Sequence, residues 1–131
     1  MEAISVITAV IAFVSLIAVI YLSINLKMTI DNQIYQSFIH NSVEVDEILI
    51  EYPNIRKYVY DGVPISDDTE DLDRIMSVIE LLVDITENIE VYINYIPKSR
   101  RDGWQQFVND MQGTPAYQYY MGRYGNWFVV K

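Results

Sequence analysis

Between Ala3 and Leu26 the sequence runs for 24 residues without one Asp, Glu, Lys, Arg or His. As a helix rising 1.5 Å per residue, such a stretch covers about 36 Å, enough for a hydrocarbon core of roughly 30 Å with some tilt. It predicts a membrane-spanning helix. A cleaved signal peptide would carry a basic start, a shorter apolar core and an Ala-x-Ala-like cleavage site. Here the start is Met1-Glu2, the apolar run is longer and no Ala-x-Ala occurs, so the reading is an uncleaved anchor over residues 1–27.

Every acidic residue except Glu2 lies beyond that stretch. The whole-chain totals, net charge -9 with 51% hydrophobic residues, therefore average two unlike parts. The remainder, residues 28–131, has room for one small domain. Lys27 is the only basic residue near either end of the span, and it sits on the C-terminal side. By the positive-inside rule this predicts a single-pass protein of the inner (plasma) membrane with its C-terminal domain in the cytoplasm.

Composition removes several classes. The chain has no Cys, which rules out disulfide frameworks, thiol catalysis, zinc ribbons and iron–sulfur clusters. An acidic domain repels phosphate backbones, so no nucleic-acid partner is expected.

The domain reads as all-α. Ile34, Phe38, Val45, Ile48, Leu49 and Tyr52 share one helical face, and no Gly or Pro interrupts the chain from Lys27 to Tyr52. The membrane helix is thus expected to continue into a first domain helix, with any break near residues 29–32 or 40–42. Pro53 ends it. A second helix is expected to be capped by Ser66 or Asp67, with Glu70 and Asp71 in its first turn. Its seam of Leu72, Ile75, Ile79, Leu82, Ile89 and Ile93, interrupted at Thr86, suits either the central helix of an intramolecular bundle or a coiled coil between protomers. The wide apolar stripe favours the bundle. Further helices are expected over Arg100–Gln112, with Trp104, Phe107, Val108 and Met111 on one side, and from Thr114-Pro115 through Met121. Residues 127–130 read as an extended apolar tail.

The most distinctive string is Tyr52-Pro53-Asn54-Ile55-Arg56-Lys57-Tyr58-Val59-Tyr60-Asp61-Gly62-Val63-Pro64. It resembles a Tyr-Pro-x-Ile-Arg-x-Tyr-x-Tyr-x-Gly-x-Pro segment of small bacterial membrane proteins. In these, one N-terminal membrane helix precedes a helical domain with a Leu/Ile-rich helix and a Trp-containing helix. The likeness covers Ile34 through Tyr124. It implies a membrane-tethered helical module and brings no catalytic residues with it; Tyr52, Pro53, Arg56, Tyr58, Tyr60, Gly62 and Pro64 are its distinguishing positions.

No catalytic, cofactor-binding or metal-ligating set emerges. The run Asp67-Asp68-Thr69-Glu70-Asp71-Leu72-Asp73 lacks the order and the bidentate Glu of a calcium loop. His40 is the only histidine and has no local partner for hydrolase or nuclease chemistry. Glu80, Asp84, Glu87 and Glu90 form a carboxylate stripe that suits a solvated face or a basic partner.

Two surfaces remain as candidates. Within the span, Ser5, Thr8, Ala9, Ala12 and Ser15 place small residues on one helix face. Such faces let membrane helices approach closely, although these residues are also common in any such helix. Beyond it, charge divides sharply: residues 28–96 hold three basic and fifteen acidic groups, and residues 97–131 hold five basic and two acidic. The basic piece is also aromatic. Lys98, Arg100, Arg101, Trp104, Arg123 and Trp127 suit an anionic membrane surface or a protein partner; alternatively the cations pair with the acidic helix while the rings fill the core.

The expected function is a non-enzymatic, membrane-tethered interaction or scaffold module whose partners are the bilayer, an unidentified protein and a second copy of itself. The alternative is a small oligomeric membrane effector that forms a pore or perturbs the bilayer. That layout is similar to those of bacterial antiphage and CRISPR-associated membrane accessories.

Overall fold

The computed structural model describes residues 2–125. The chain is all-α, as its periodicity predicts. Among these residues five helices follow one another: α1 (Glu2–Glu51), α2 (Arg56–Val59), α3 (Leu72–Tyr92), α4 (Lys98–Gln112) and α5 (Pro115–Tyr124). Single 3-10 turns lie at Pro53–Ile55 and Ile93–Tyr95, and there is no strand among the described residues.

The first helix is continuous over 50 residues, about 75 Å at 1.5 Å per residue. The expected boundary between anchor and domain near Lys27 therefore falls inside one helix. Neither expected break occurs. The hydroxyls that would compete with the helix bond back into it instead: Thr29 Oγ1 donates to the Asn25 carbonyl at 2.9 Å and Ser42 Oγ to that of Phe38 at 2.8 Å, a local bond that leaves the backbone ladder intact. Side chains from Ser5 to Ile30 are exposed, whereas Phe38, Val45 and Leu49 are buried and Ile34, Ile48 and Tyr52 pack at the core's edge. Those six are the predicted face. Pro53 then ends α1, leaving Tyr52 outside the helical region at φ -123° and ψ 70°.

The distinctive string turns the chain over the top of the core. Ile55 and Val59 are fully buried, one helical turn apart, while Arg56, Lys57 and Arg74 lie over the rings of Tyr60, Tyr58 and Tyr52 at 5.5, 4.9 and 3.9 Å. Gly62 reverses direction at φ +72°, a conformation that costs a residue without a Cβ little.

The start of α3 differs from expectation. Ser66 and Asp67 belong to a separate turn, in which the Thr69 amide donates to the Ser66 carbonyl at 3.0 Å and the Ser66 amide to Thr69 Oγ1 at 2.9 Å. The helix begins five residues later with Asp71 at its N-cap in a left-handed conformation, φ 59°. No side chain caps the backbone here, because the Asp71 carboxylate is taken by Asn54 Nδ2 at 2.8 Å and Arg74 Nη1 at 3.0 Å.

α3 runs antiparallel to α1 and is the centre of the core. Ile75, Val78, Ile79, Leu82, Val83, Ile85, Thr86 and Ile89 are buried on it, covered by α1, α4 and α5 of the same chain. The seam is thus occupied within the molecule. Thr86, the polar interruption, is completely buried. Its Oγ1 donates to the Val83 carbonyl at 2.9 Å and lies 3.2 Å from the Tyr117 hydroxyl, so helix α5 is held to α3 by a buried polar contact.

The later helices follow the punctuation of the sequence. α4 stops at Gly113; Thr114 caps α5, its hydroxyl accepting from the Tyr117 amide, with Pro115 first in the helix. Trp127 and the rest of the expected apolar tail lie outside the described residues.

A test follows from the buried pair. Thr86→Val leaves the Tyr117 hydroxyl buried beside a methyl group and should cost about 1–3 kcal/mol of unfolding free energy. Adding Tyr117→Phe should recover much of that loss, because no donor is then stranded; denaturant unfolding followed by Trp fluorescence measures both.

Candidate functional site

The exposed chemistry divides between two ends of the domain, and the antiparallel pairing of α1 with α3 decides which residue goes where. At one end, Arg74 of early α3 stacks on Tyr52 at the end of α1. Midway, Asn88 and Tyr92 line a cleft with Ile34, Phe38 and Asn41. At the other end, Asn94 to Lys98 face Met28, Asp31 and Asn32 across a second cleft. α3 has 21 residues, about the length of α1 from residue 31 to 51. It therefore returns the chain to the level at which the apolar stretch of α1 ends.

The predicted basic–aromatic surface is split by this geometry. Lys98 and Arg101 start α4 beside residues 28–32 of α1, and Arg100 lines a neighbouring cleft with Tyr35 and Ile39. Arg123 sits about 30 Å away along α1, on the basis of some 20 helical residues, where Nη1 donates to Asp67 Oδ1 at 3.0 Å and to the Tyr119 hydroxyl at 2.9 Å. These residues do not form one patch. Tyr119 also donates to Asp67; that bond, followed by the Arg123 charge, holds the Asp67 carboxyl below its ordinary range, and the same bond raises the Tyr119 phenol. The cluster ties the turn before α3 to α5. Of the acidic run, Asp67 is held in this cluster and Asp71 by Asn54 and Arg74, and no group of three or more metal-ligating side chains occurs among the described residues.

Trp104 is not presented to a partner as a free ring. It packs edge-on against Tyr35 at 6.4 Å and Phe107 at 5.8 Å, and against Phe38 at 6.2 Å, clamping α4 to α1. The expectation that the aromatic rings fill the core holds for Trp104, Phe107, Tyr117 and Tyr120. The expectation that the cations pair with the acidic helix holds for none of Lys98, Arg100 and Arg101, because the ion pairs among the described residues are Arg74–Asp71 and Arg123–Asp67.

Arg101 has a defined task. Its Nε donates to the Ile96 carbonyl at 2.9 Å and its Nη2 to the Asn94 carbonyl at 2.6 Å, fixing the turn that joins α3 to α4. The guanidinium lines a cleft of about 230 Å³ with Met28, Asp31, Asn94, Tyr95 and Lys98. Sequence reasoning missed Asp31 and Tyr95, since they adjoin Lys98 only through the return of α3.

Along α3, Glu80, Asp84 and Glu90 are exposed and Glu87 is half-buried. Burial, reinforced by Asp84 and Glu90, pushes the Glu87 carboxyl up. The small residues Ser5, Thr8, Ala9, Ala12 and Ser15 are exposed along α1, and His40 is an exposed helical residue.

No family model, curated protein or solved structure matches the chain.

The Glu87 shift fixes a pH dependence. Ionising this carboxyl costs more in the folded chain than in the unfolded one, so its share of stability is held at low pH and lost as pH rises through the raised value. Glu87→Gln should raise the melting temperature at pH 7–8, with the gap to the parent closing as pH falls through the carboxylate range.

Proposed function

We propose that this chain is a non-enzymatic, single-pass membrane protein whose helical domain is held rigidly at the bilayer surface and serves as an interaction module. One observation carries the reading. The first helix is long and apolar enough to cross a membrane, none of its most apolar window is covered by the rest of the molecule, and the same helix is a wall of the domain's core. Between Val6 and Leu26, fourteen large apolar side chains stand 51–65% exposed. Their transfer to an apolar environment is worth on the order of 20 kcal/mol, more than a small domain's whole stability, so lipid is the medium this segment requires. The Ser23 hydroxyl suits it also: Oγ donates to the Val19 carbonyl at 2.8 Å, so that donor is met within the helix.

Lys27 at the C-terminal end of the apolar stretch supports a cytoplasmic domain. The absence of Cys and the single, exposed His support an interaction role over catalysis. The carboxylates Glu80, Asp84 and Glu90, all exposed, offer a surface to a basic protein partner.

Because the chain has no Cys, single introduced cysteines report directly. Ser15→Cys should resist a membrane-impermeant maleimide in intact and broken cells alike, and Ser66→Cys should react only once cells are broken. Ready labelling at residue 15 in native membranes would overturn the membrane reading; labelling of residue 66 in intact cells would reverse the orientation.

A further inference from the structure

The cleft between α1 and the start of α4 carries both signs of charge in an unusual arrangement. Asp31 lines it, and Oδ1 of that carboxylate is buried without a hydrogen-bond partner among the described residues. A carboxylate oxygen in that state lacks a donor. Facing it across the same cleft are Lys98, which makes no ion pair among the described residues, and Arg101. The Arg101 guanidinium spends two of its five N–H donors on the Asn94 and Ile96 carbonyls, and the others remain for an anion. Had Lys98 or Arg101 closed on Asp31, the cleft would be neutral and satisfied; instead, Arg101 is held back by the turn it fixes. An occupant matching these groups brings N–H donors on a positive centre for Asp31 and an anionic oxygen for Lys98 and Arg101.

The position of the cleft selects among zwitterions. Met28, Asp31 and Asn32 lie two, five and six residues past Leu26, about 3–9 Å along the helix. The headgroup zone occupies about 5–8 Å beyond the hydrocarbon on each side of a bilayer. Tyr92 and Tyr95, both exposed and stacked edge-on at 5.9 Å, stand at the same end, with Tyr95 in the cleft wall; such rings favour this zone. At about 230 Å³ the space is below that of drug-sized pockets, so it suits a headgroup rather than a whole metabolite.

From this we infer that the α1–α4 cleft binds the headgroup of an ethanolamine phospholipid, its primary ammonium donating to Asp31 and its phosphate engaged by Lys98 and Arg101. The inference rests on the membrane-spanning reading of α1. A choline headgroup carries the same charges but no N–H donor, and a glycerol headgroup offers no positive centre, so the cleft discriminates against both.

Native mass spectrometry of the full-length protein in detergent, given an equimolar mixture of ethanolamine, choline and glycerol phospholipids with identical acyl chains, reads the selectivity. Ethanolamine lipid should be retained over choline lipid by roughly tenfold, the discrimination of one charge-assisted hydrogen bond. Asp31→Asn, a near-isosteric change, should remove that preference while circular dichroism stays unchanged. Lys98→Gln should lower retention of all three lipids and leave their order intact. Equal retention of ethanolamine and choline lipid, preference for the glycerol lipid, or a preference that survives Asp31→Asn would overturn the proposal. If the parent protein fails to float with vesicles, the membrane reading fails; if it floats without selectivity, only the headgroup assignment does.

Discussion

One uninterrupted ladder of backbone hydrogen bonds, running the length of α1, is the constraint on which the other features depend. A helix satisfies its own amides and carbonyls, so the same element can pass from an apolar segment into a water-facing domain without a linker or a change of conformation. The apolar half, Ala3–Leu26, and the half that bears Phe38, Val45 and Leu49 are then parts of one rigid body. Rotation and height of the domain relative to the apolar segment are fixed by helix geometry. A flexible joint would have left the domain free to face any direction, and the charge on its two ends would carry no positional meaning.

The core is built onto that rod by α3, whose buried face is wide enough to be covered by α1, α4 and α5 together. Because its 21 residues match the length of the α1 segment it pairs with, the following turn falls back to the end of the apolar stretch. Arg101 locks the turn through the carbonyls of Asn94 and Ile96, and the Trp104 cluster fastens α4 against Tyr35 and Phe38. Thus the basic start of α4 is delivered to one end of an otherwise acidic body, and the Asp67–Tyr119–Arg123 contact closes the other.

Much of this could be read from residues in order. The proline and glycine punctuation at Pro53, Gly113, Thr114 and Pro115 reflects local steric limits, which act within a few residues and hold regardless of tertiary context. The buried face of α1 follows from its period, since a helix has one way to hide apolar side chains spaced three and four apart. The start of α3 was illegible for the opposite reason. Ser66 and Asp67 look like caps, but Asp67 is claimed by Tyr119 and Arg123 from α5, and Asp71, the residue actually at the cap position, is claimed by Asn54 and Arg74. Side-chain partners, all but Arg74 distant in sequence, outcompeted the backbone for those carboxylates.

The sequence by itself determined that the chain is all-α, that residues 3–26 form a charge-free stretch long and apolar enough to cross a membrane, and that its cations concentrate near its C-terminal end, because hydrophobic period and charge are carried by each residue wherever the chain goes. Only the tertiary structure decided that those cations are divided, with Lys98 and Arg101 beside residues 28–32 and Arg123 some 30 Å away by helix rise, and that Asp31 meets Lys98 and Arg101 across a cleft. Residues nearly seventy positions apart become neighbours through the direction and length of the intervening helix. That is a property of packing, which no local pattern in the chain records.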